Sequence, residues 1–221
     1  MFFSLCGSPP TVQVFMNYNF TDYIREGWLV IYMDNLAIGV DSQEDEERKV
    51  HLVLQQFCDL RLSLKLSKCV FGKTEVKFLG MIVGCGCIHM DPAKLSAIAT
   101  WPLLKTVKAV RSFLGFCNFY CWFIPNFSNT AAPLTTLTHK NQPWTWGPDQ
   151  QMAFDLLLSQ FQTASLLCLP NVHCPFIAMT DPSLLASGGV LMQKDDNGDL
   201  HPCAYLSQTF TAAKHNYDIY D

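Results

Sequence analysis

Two aspartates stand out by the company they keep. Asp34 sits in WLVIYMDNLAIGV, followed by Asn35, with apolar strand formers on both sides. Two such runs around an Asp-Asn pair predict a β-hairpin with the polar pair at its turn. A carboxylate held at the tip of an apolar hairpin is presented to something, and a divalent cation is its usual target. Asp181, in TDPS, closes a second apolar run. Phosphoryl transfer by two metals needs several carboxylates around ions about 3.5–4 Å apart, so neither aspartate suffices alone.

A third group of residues is cationic. From Asp91 to Phe127 there are four cations, Lys94, Lys105, Lys108 and Arg111, against the single acid Asp91, a net charge of +3. Phe113, Phe116, Phe119, Tyr120, Trp122 and Phe123 crowd the same stretch. Two readings fit: core aromatics with a basic solvent face, or a surface that touches phosphates and weakens steeply with salt.

Other chemistries are excluded. The ten cysteines include no CxxC pair and no Cys/His spacing of a zinc finger, which predicts reduced thiols in an intracellular protein. DDNGD is not a calcium loop, because counting back from Gly198 puts Gln193 at the first ligand position. Five acids in DSQEDEE read as a helix start, since apolar positions at Val50, Val53, Leu54, Phe57, Leu60 and Leu64 follow at helical spacing.

These candidates must be held by a sizeable fold. The chain has 221 residues, 49% hydrophobic and 15% charged, which excludes a disordered or fibrous class. Its net charge of -4 excludes a wholesale nucleic-acid coat and confines any such contact to a local patch. The opening MFFSLCGSPP lacks a basic n-region, and the apolar window Phe113 to Phe127 is too short to span a bilayer, so neither secretion nor membrane insertion is expected. A helix is predicted over Thr11 to Gly27, strands for KLSKCVF and EVKFLGMIVGCGCIHMDP, and helices over Pro92 to Thr100 and Val107 to Ile124. A loop through WTWGPDQ precedes a helix from Gln150 to about Thr163. Strands are then predicted at PFIAMTDPS, GGVLMQ and HPCAYLSQTF, with an Asn-Gly turn between the last two.

MFFSLCGSPPTVQ, YMDN, KLSKCVF, FLG, WP, VRSFLGFCNFYCWFI, PLTTLT, TDPS, GGVLMQ and NYDIYD occur in one order. Together they resemble the reverse transcriptase–RNase H part of a gypsy-type LTR-retrotransposon polyprotein, over nearly the whole chain. The resemblance implies an α+β fold: a partial right-hand polymerase palm (1–90), thumb-like helices (91–130), a connection (131–174), and the start of an RNase H-like α/β domain (175–221). It implies that Asp34 matches a metal-binding catalytic aspartate of the polymerase, and Asp181 the first metal-binding carboxylate of RNase H. Gln13 matches a glutamine near template and incoming nucleotide, with a solvated helix residue as the alternative. Lys68 matches a lysine of the following motif, or is a surface lysine. Phe78, Leu79 and Gly80 match a hairpin that grips the primer end, the first two also suiting a core. Mg²⁺ is the implied cofactor, and an RNA or DNA primer–template the implied partner.

The same resemblance exposes departures. Asn35 stands where a second aspartate is usual, and an amide oxygen brings no charge to hold an ion. SLCGSP and YCWFI replace patterns like Gly-Leu-Thr-Asn-Ala-Pro and Tyr-Arg-Arg-Phe-Ile; among the departures, Gly to Ser, Asp to Asn, Arg to Cys and Arg to Trp can each arise by a single transition, as expected for mutational decay. The family's other carboxylates would lie before Met1 and after Asp221. As a single chain it is therefore expected to catalyse neither reaction. A non-catalytic nucleic-acid-binding remnant using Lys105, Lys108 and Arg111, or a subunit completed by another chain, remain as alternatives.

Overall fold

The computed structural model describes residues 7–164, 166–182 and 186–210. They belong to two compact units, Met1–Leu79 and Gly80–Asp221.

In the first unit, α1 (Ser8–Asn19) and α2 (Thr21–Arg25) lead into the antiparallel strands β1 (Leu29–Tyr32) and β2 (Asn35–Ile38), followed by α3 (Gln43–Asp59) and β3 (Glu75–Phe78). Pro9 and Pro10 fall in the first turn of α1, where a missing N–H costs nothing. One helix was expected over Thr11 to Gly27. The structure divides it at Phe20, whose backbone leaves the helical region at φ -115° while its ring, 1% exposed, packs 5.4 Å from that of Phe57. Met16, Phe20, Trp28, Leu29, Ile31, Val53 and Phe57 form the core. KLSKCVF is not a strand. Lys68 N–H donates to Lys65 O (2.9 Å) and Cys69 N–H to Leu66 O (3.0 Å), closing a 3₁₀ turn over Leu66–Lys68.

The acidic run starts a helix as expected. The Ser42 hydroxyl accepts from Asp45 N–H, and Glu44, Asp45 and Glu46 occupy the first turn of α3. Lys49, only 7% exposed, ties this helix to the hairpin. Its ammonium donates to Gly39 O at 2.9 Å, pairs with Asp45 Oδ2 at 2.6 Å, and lies 5.5 Å from the Trp28 ring centre.

In the second unit, β4 (Met81–Gly84), β5 (Cys87–Met90) and β6 (Leu167–Cys168) form an antiparallel ladder. Four helices follow β5: α4 (Pro92–Ala99), α5 (Val107–Phe119), α6 (Phe127–Thr136) and α7 (Pro148–Gln162). Asp91 and Thr106 cap α4 and α5 with side-chain oxygens. The helix expected to reach Ile124 stops at Phe119 and gives way to a 3₁₀ turn over Cys121–Phe123.

Helix α6 occupies what read as loop. Its Asn, Thr and Pro content hides the buried positions Phe127, Ala131 and Leu134, at helical spacing. Burial overrides poor propensity, and Thr135 and Thr136 satisfy carbonyls one turn back. Phe113, Cys117, Phe123, Leu134, Leu157, Phe161 and Leu167 are at most 1% exposed and form the centre of one core. The strands β7 (Phe176–Pro182), β8 (Ala186–Lys194) and β9 (Leu200–Thr209) make an antiparallel sheet, as the sequence predicts. No helix among the described residues is long and apolar enough to cross a membrane.

The Lys49 ammonium, with the Arg48 guanidinium and Asp41 N–H adding to it, holds Asp45 at about 2, below its ordinary 3.8. A carboxyl lowered by folding stabilises above its unfolded value and loses that contribution as pH falls through the folded one. Thermal melts between pH 4 and pH 2 are therefore expected to fall less steeply for Asp45→Asn than for the unmodified chain.

Candidate functional site

The β1–β2 register pairs Tyr32 with Asn35, which leaves a two-residue loop of Met33 and Asp34. The polar pair is thus not the turn: Asp34 is at the tip and Asn35 opens β2. Met33 has φ +55°, a left-handed conformation that costs a side-chain-bearing residue about 1–2 kcal/mol. Gln13, on α1, holds it there. Met33 N–H donates to Gln13 Oε1 at 2.7 Å, while Gln13 Nε2 donates to Ile31 O at 3.1 Å and to Asn17 Oδ1 at 2.8 Å. Gln13 is therefore no solvated helix residue but a bridge from α1 to the strained residue's own N–H and to the carbonyl two residues before it.

The Asp34 carboxylate is exposed. Asn35 Nδ2 donates to Asp34 Oδ1 at 3.4 Å, a long contact that turns an amide donor toward the carboxylate. The pair offers one negative charge to a cation, and one lone pair of that carboxylate faces a donor. Among the described residues no group of three or more His, Cys, Asp or Glu could hold a metal ion. A single carboxylate beside an amide is a poor Mg²⁺ site by itself, because this ion sheds water reluctantly.

The other expected residues fall in several places. Lys68 is exposed on the 3₁₀ turn after α3. Phe78 ends β3 half-buried, and Leu79 and Gly80 follow with φ +49° and +79°, the two consecutive positive values of a type I′ turn. Tyr120, at the end of α5, donates its hydroxyl to Gly80 O at 3.0 Å. A Cβ on Gly80 would stand 3.0 Å from the Tyr120 hydroxyl oxygen, so any side chain there would crowd that hydroxyl as well as strain the positive φ. Burial, with Asp91 adding to it, pushes the Tyr120 hydroxyl above its ordinary value and keeps it a donor.

Asp181 is exposed on β7, in register with Gly188 of β8, which is in turn opposite Ser207 of β9. The start of α6 packs here. Ser128 N–H donates to Ser207 Oγ at 2.9 Å, and the Asn126 carboxamide fills the space where a Gly188 side chain would be. Sequence reasoning missed Asn126, Ser128 and Ser207; the Gly188-Gly189 pair was the signal for a close approach. Residues 183–185 and 211–221, which include the end of TDPS and NYDIYD, lie outside the described residues, as do residues 1–6 of the opening motif.

Of the cations, Lys105 and Lys108 are exposed around the N-terminus of α5, where a positive charge opposes the helix dipole. Arg111 is engaged: its guanidinium donates to Thr138 O, just past α6, at 2.9 Å. Phe113, Tyr120 and Phe123 are core residues, whereas Phe119 stays 53% exposed beside them.

Two family models match the chain: reverse transcriptase (RNA-dependent DNA polymerase) over residues 5–83, and the RNase H-like domain found in reverse transcriptase over residues 146–221. The chain belongs to the reverse transcriptase–RNase H region of retrovirus-related Pol polyproteins. It is 34% identical over 216 residues to the Retrovirus-related Pol polyprotein from transposon 297 of Drosophila melanogaster, covering 97% of this chain and 20% of that one. With the Transposon Tf2-7 polyprotein of Schizosaccharomyces pombe it shares 29% over 214 residues, covering 97% of this chain and 16% of the other. The chain thus spans a fifth or less of the length of these Pol polyproteins. The fold is also that of the foamy viral protease-reverse transcriptase. In its complex with RNA/DNA hybrid the TM-score is 0.80 at 20% identity, covering 99% of this chain and 29% of that one. In its complex with dsDNA the TM-score is 0.80 at 19% identity, over 99% and 45%. The expected α+β reverse transcriptase architecture with an RNase H-like start is borne out.

The Gln13 bridge makes a direct prediction for this Pol segment. Gln13→Ala leaves Met33 N–H and Ile31 O without their partner, a loss of about 1–3 kcal/mol. The Met33 amide is expected to exchange with solvent at least about tenfold faster in the variant, as read by hydrogen-exchange NMR.

Proposed function

We propose that this Pol segment carries the polymerase hairpin of a gypsy-type LTR-retrotransposon reverse transcriptase, and that the hairpin is impaired for RNA-directed DNA synthesis. The observation behind this reading is the Asp34–Asn35 pair. Asp34 stands where a cation-binding carboxylate would face the reacting phosphates of a primer–template and incoming nucleotide. Asn35 supplies an amide in place of a second charge. Divalent-metal chemistry in this family, with Mg²⁺ as the proposed ion, rests on several carboxylates acting together, and halving the hairpin's charge weakens the grip on the ion. Asp181 is proposed as the corresponding first carboxylate of RNase H. Lys68 and the Phe78–Gly80 turn are proposed to face the nucleic acid.

Asn35→Asp is the test. Titrated with Mn²⁺, which substitutes for Mg²⁺ and can be followed by electron paramagnetic resonance, the variant is expected to bind at least about tenfold tighter than the unmodified chain. Primer extension on an RNA template should be silent in the unmodified chain. Equal Mn²⁺ affinity in both proteins, or extension by the unmodified one, would sink this reading.

The exposed Lys105 and Lys108 favour a second reading, retained binding of a primer–template without chemistry. Lys105→Glu with Lys108→Glu is expected to weaken RNA/DNA binding and to reduce its salt dependence by about two contacts. Arg111→Ala, because the guanidinium already serves Thr138 O, is expected to lower thermal stability more than affinity. Binding that ignores both lysines would remove this second reading.

A further inference from the structure

Three cysteines converge in the second unit. Cys87 on β5 and Cys168 on β6 are direct partners in the antiparallel ladder. Leu169 N–H donates to Gly86 O at 2.9 Å, so the hydrogen-bonded pair is the neighbouring one, and Cys87 and Cys168 form a non-hydrogen-bonded pair. In such pairs the Cα atoms stand about 4.5 Å apart with the side chains on one face, inside the range of about 4.4–6.8 Å that a disulfide bridges. Both thiols are half-buried, so a small oxidant reaches them.

The third cysteine is placed by an irregularity. Leu191 pairs with Ala204 and Met192 with Pro202, which leaves Cys203 as the extra residue of a β-bulge in β9. The bulge turns it inward, where it is 4% exposed and its thiol neighbours that of Cys168. Burial first, and then Cys168, pushes the Cys203 thiol up, so it is a poor source of the thiolate that attacks in disulfide chemistry.

We propose that Cys87 and Cys168 are a reversible oxidation site, closing a disulfide in the presence of a peroxide, with Cys203 left reduced beside them. One thiolate attacks the peroxide and becomes a sulfenic acid, releasing water after protonation. The other sulfur then displaces the sulfenic oxygen, which leaves as a second water, and the S–S bond forms. Two thiols and one hydrogen peroxide thus give one disulfide and two waters. The bond joins β5, before the four helices, to β6, after them. It therefore fixes both ends of the segment that carries α4 to α7 and anchors the chain leading into β7.

The experiment treats the reduced full chain, dilute, with hydrogen peroxide, and then maps its peptides without reduction after alkylation. The expected result is a Cys87–Cys168 cross-linked peptide about 2 Da lighter than the two reduced peptides, a higher melting temperature, and reversal of both by dithiothreitol. Cys87→Ser and Cys168→Ser should each abolish the cross-link, and Cys203→Ser should keep it. A Cys168–Cys203 peptide in the unmodified chain, or alkylation of Cys87 and Cys168 undiminished by peroxide, would overturn the proposal. The peptide map of the unmodified chain decides this even where a serine variant fails to fold.

Discussion

A methionine in a left-handed conformation governs the candidate polymerase site. A two-residue loop between β1 and β2 demands a positive φ, and no glycine is there to supply it. The strain is sustained because Gln13 accepts from the strained residue's own N–H and donates to the carbonyl two residues earlier. Strain of this kind persists only where the surroundings over-determine it. Here they do so from two sides: α1 through Gln13, and α3 through Lys49, whose ammonium holds Gly39 O just past the end of β2. The buried rings of Phe20, Trp28 and Phe57 then keep these elements in place.

The same hairpin illustrates how a single side chain alters what a scaffold can do. Carboxylate and carboxamide are nearly isosteric, so Asn35 takes its place opposite Tyr32 with the ladder intact. What changes is charge. The Asn35 amide nitrogen is directed at Asp34 and brings no charge of its own, and among the described residues no group of three or more His, Cys, Asp or Glu could hold a metal ion. Geometry and charge are thus separable here: the ladder depends on backbone pairing, and the charge at the tip on the side chains alone.

In the second unit the helices pack with β4, β5 and β6 around one apolar core, which Tyr205 of β9 borders, and polar contacts decide the details. Tyr120 fixes Gly80, Arg111 holds the carbonyl beyond α6, and buried Gln193 donates to Asn171 O and Cys174 O while accepting from Asn171 N–H. Each is a long-range bond from a side chain to backbone. Such bonds are worth little singly but are costly to leave unmade once the groups are buried. The Gln193 bonds tie the chain between β6 and β7, short of regular structure, to β8.

Much of this was legible in the amino-acid sequence. The ordered motifs gave the family and its α+β architecture, and the acidic run gave the start of α3, because each depends on residue type or local spacing. Local reasoning stopped where partners come from afar. Only the register of β1 against β2 decided that Asp34 alone is at the tip, since a shift of one residue exchanges tip and strand. Only packing made a helix of the Asn- and Thr-rich stretch at Phe127–Thr136, divided α1 from α2 at Phe20, and spent Arg111 on Thr138 rather than on solvent. Composition states which groups exist. Burial and hydrogen-bond geometry, settled by residues far apart in the chain, determine which of them are left to meet a ligand.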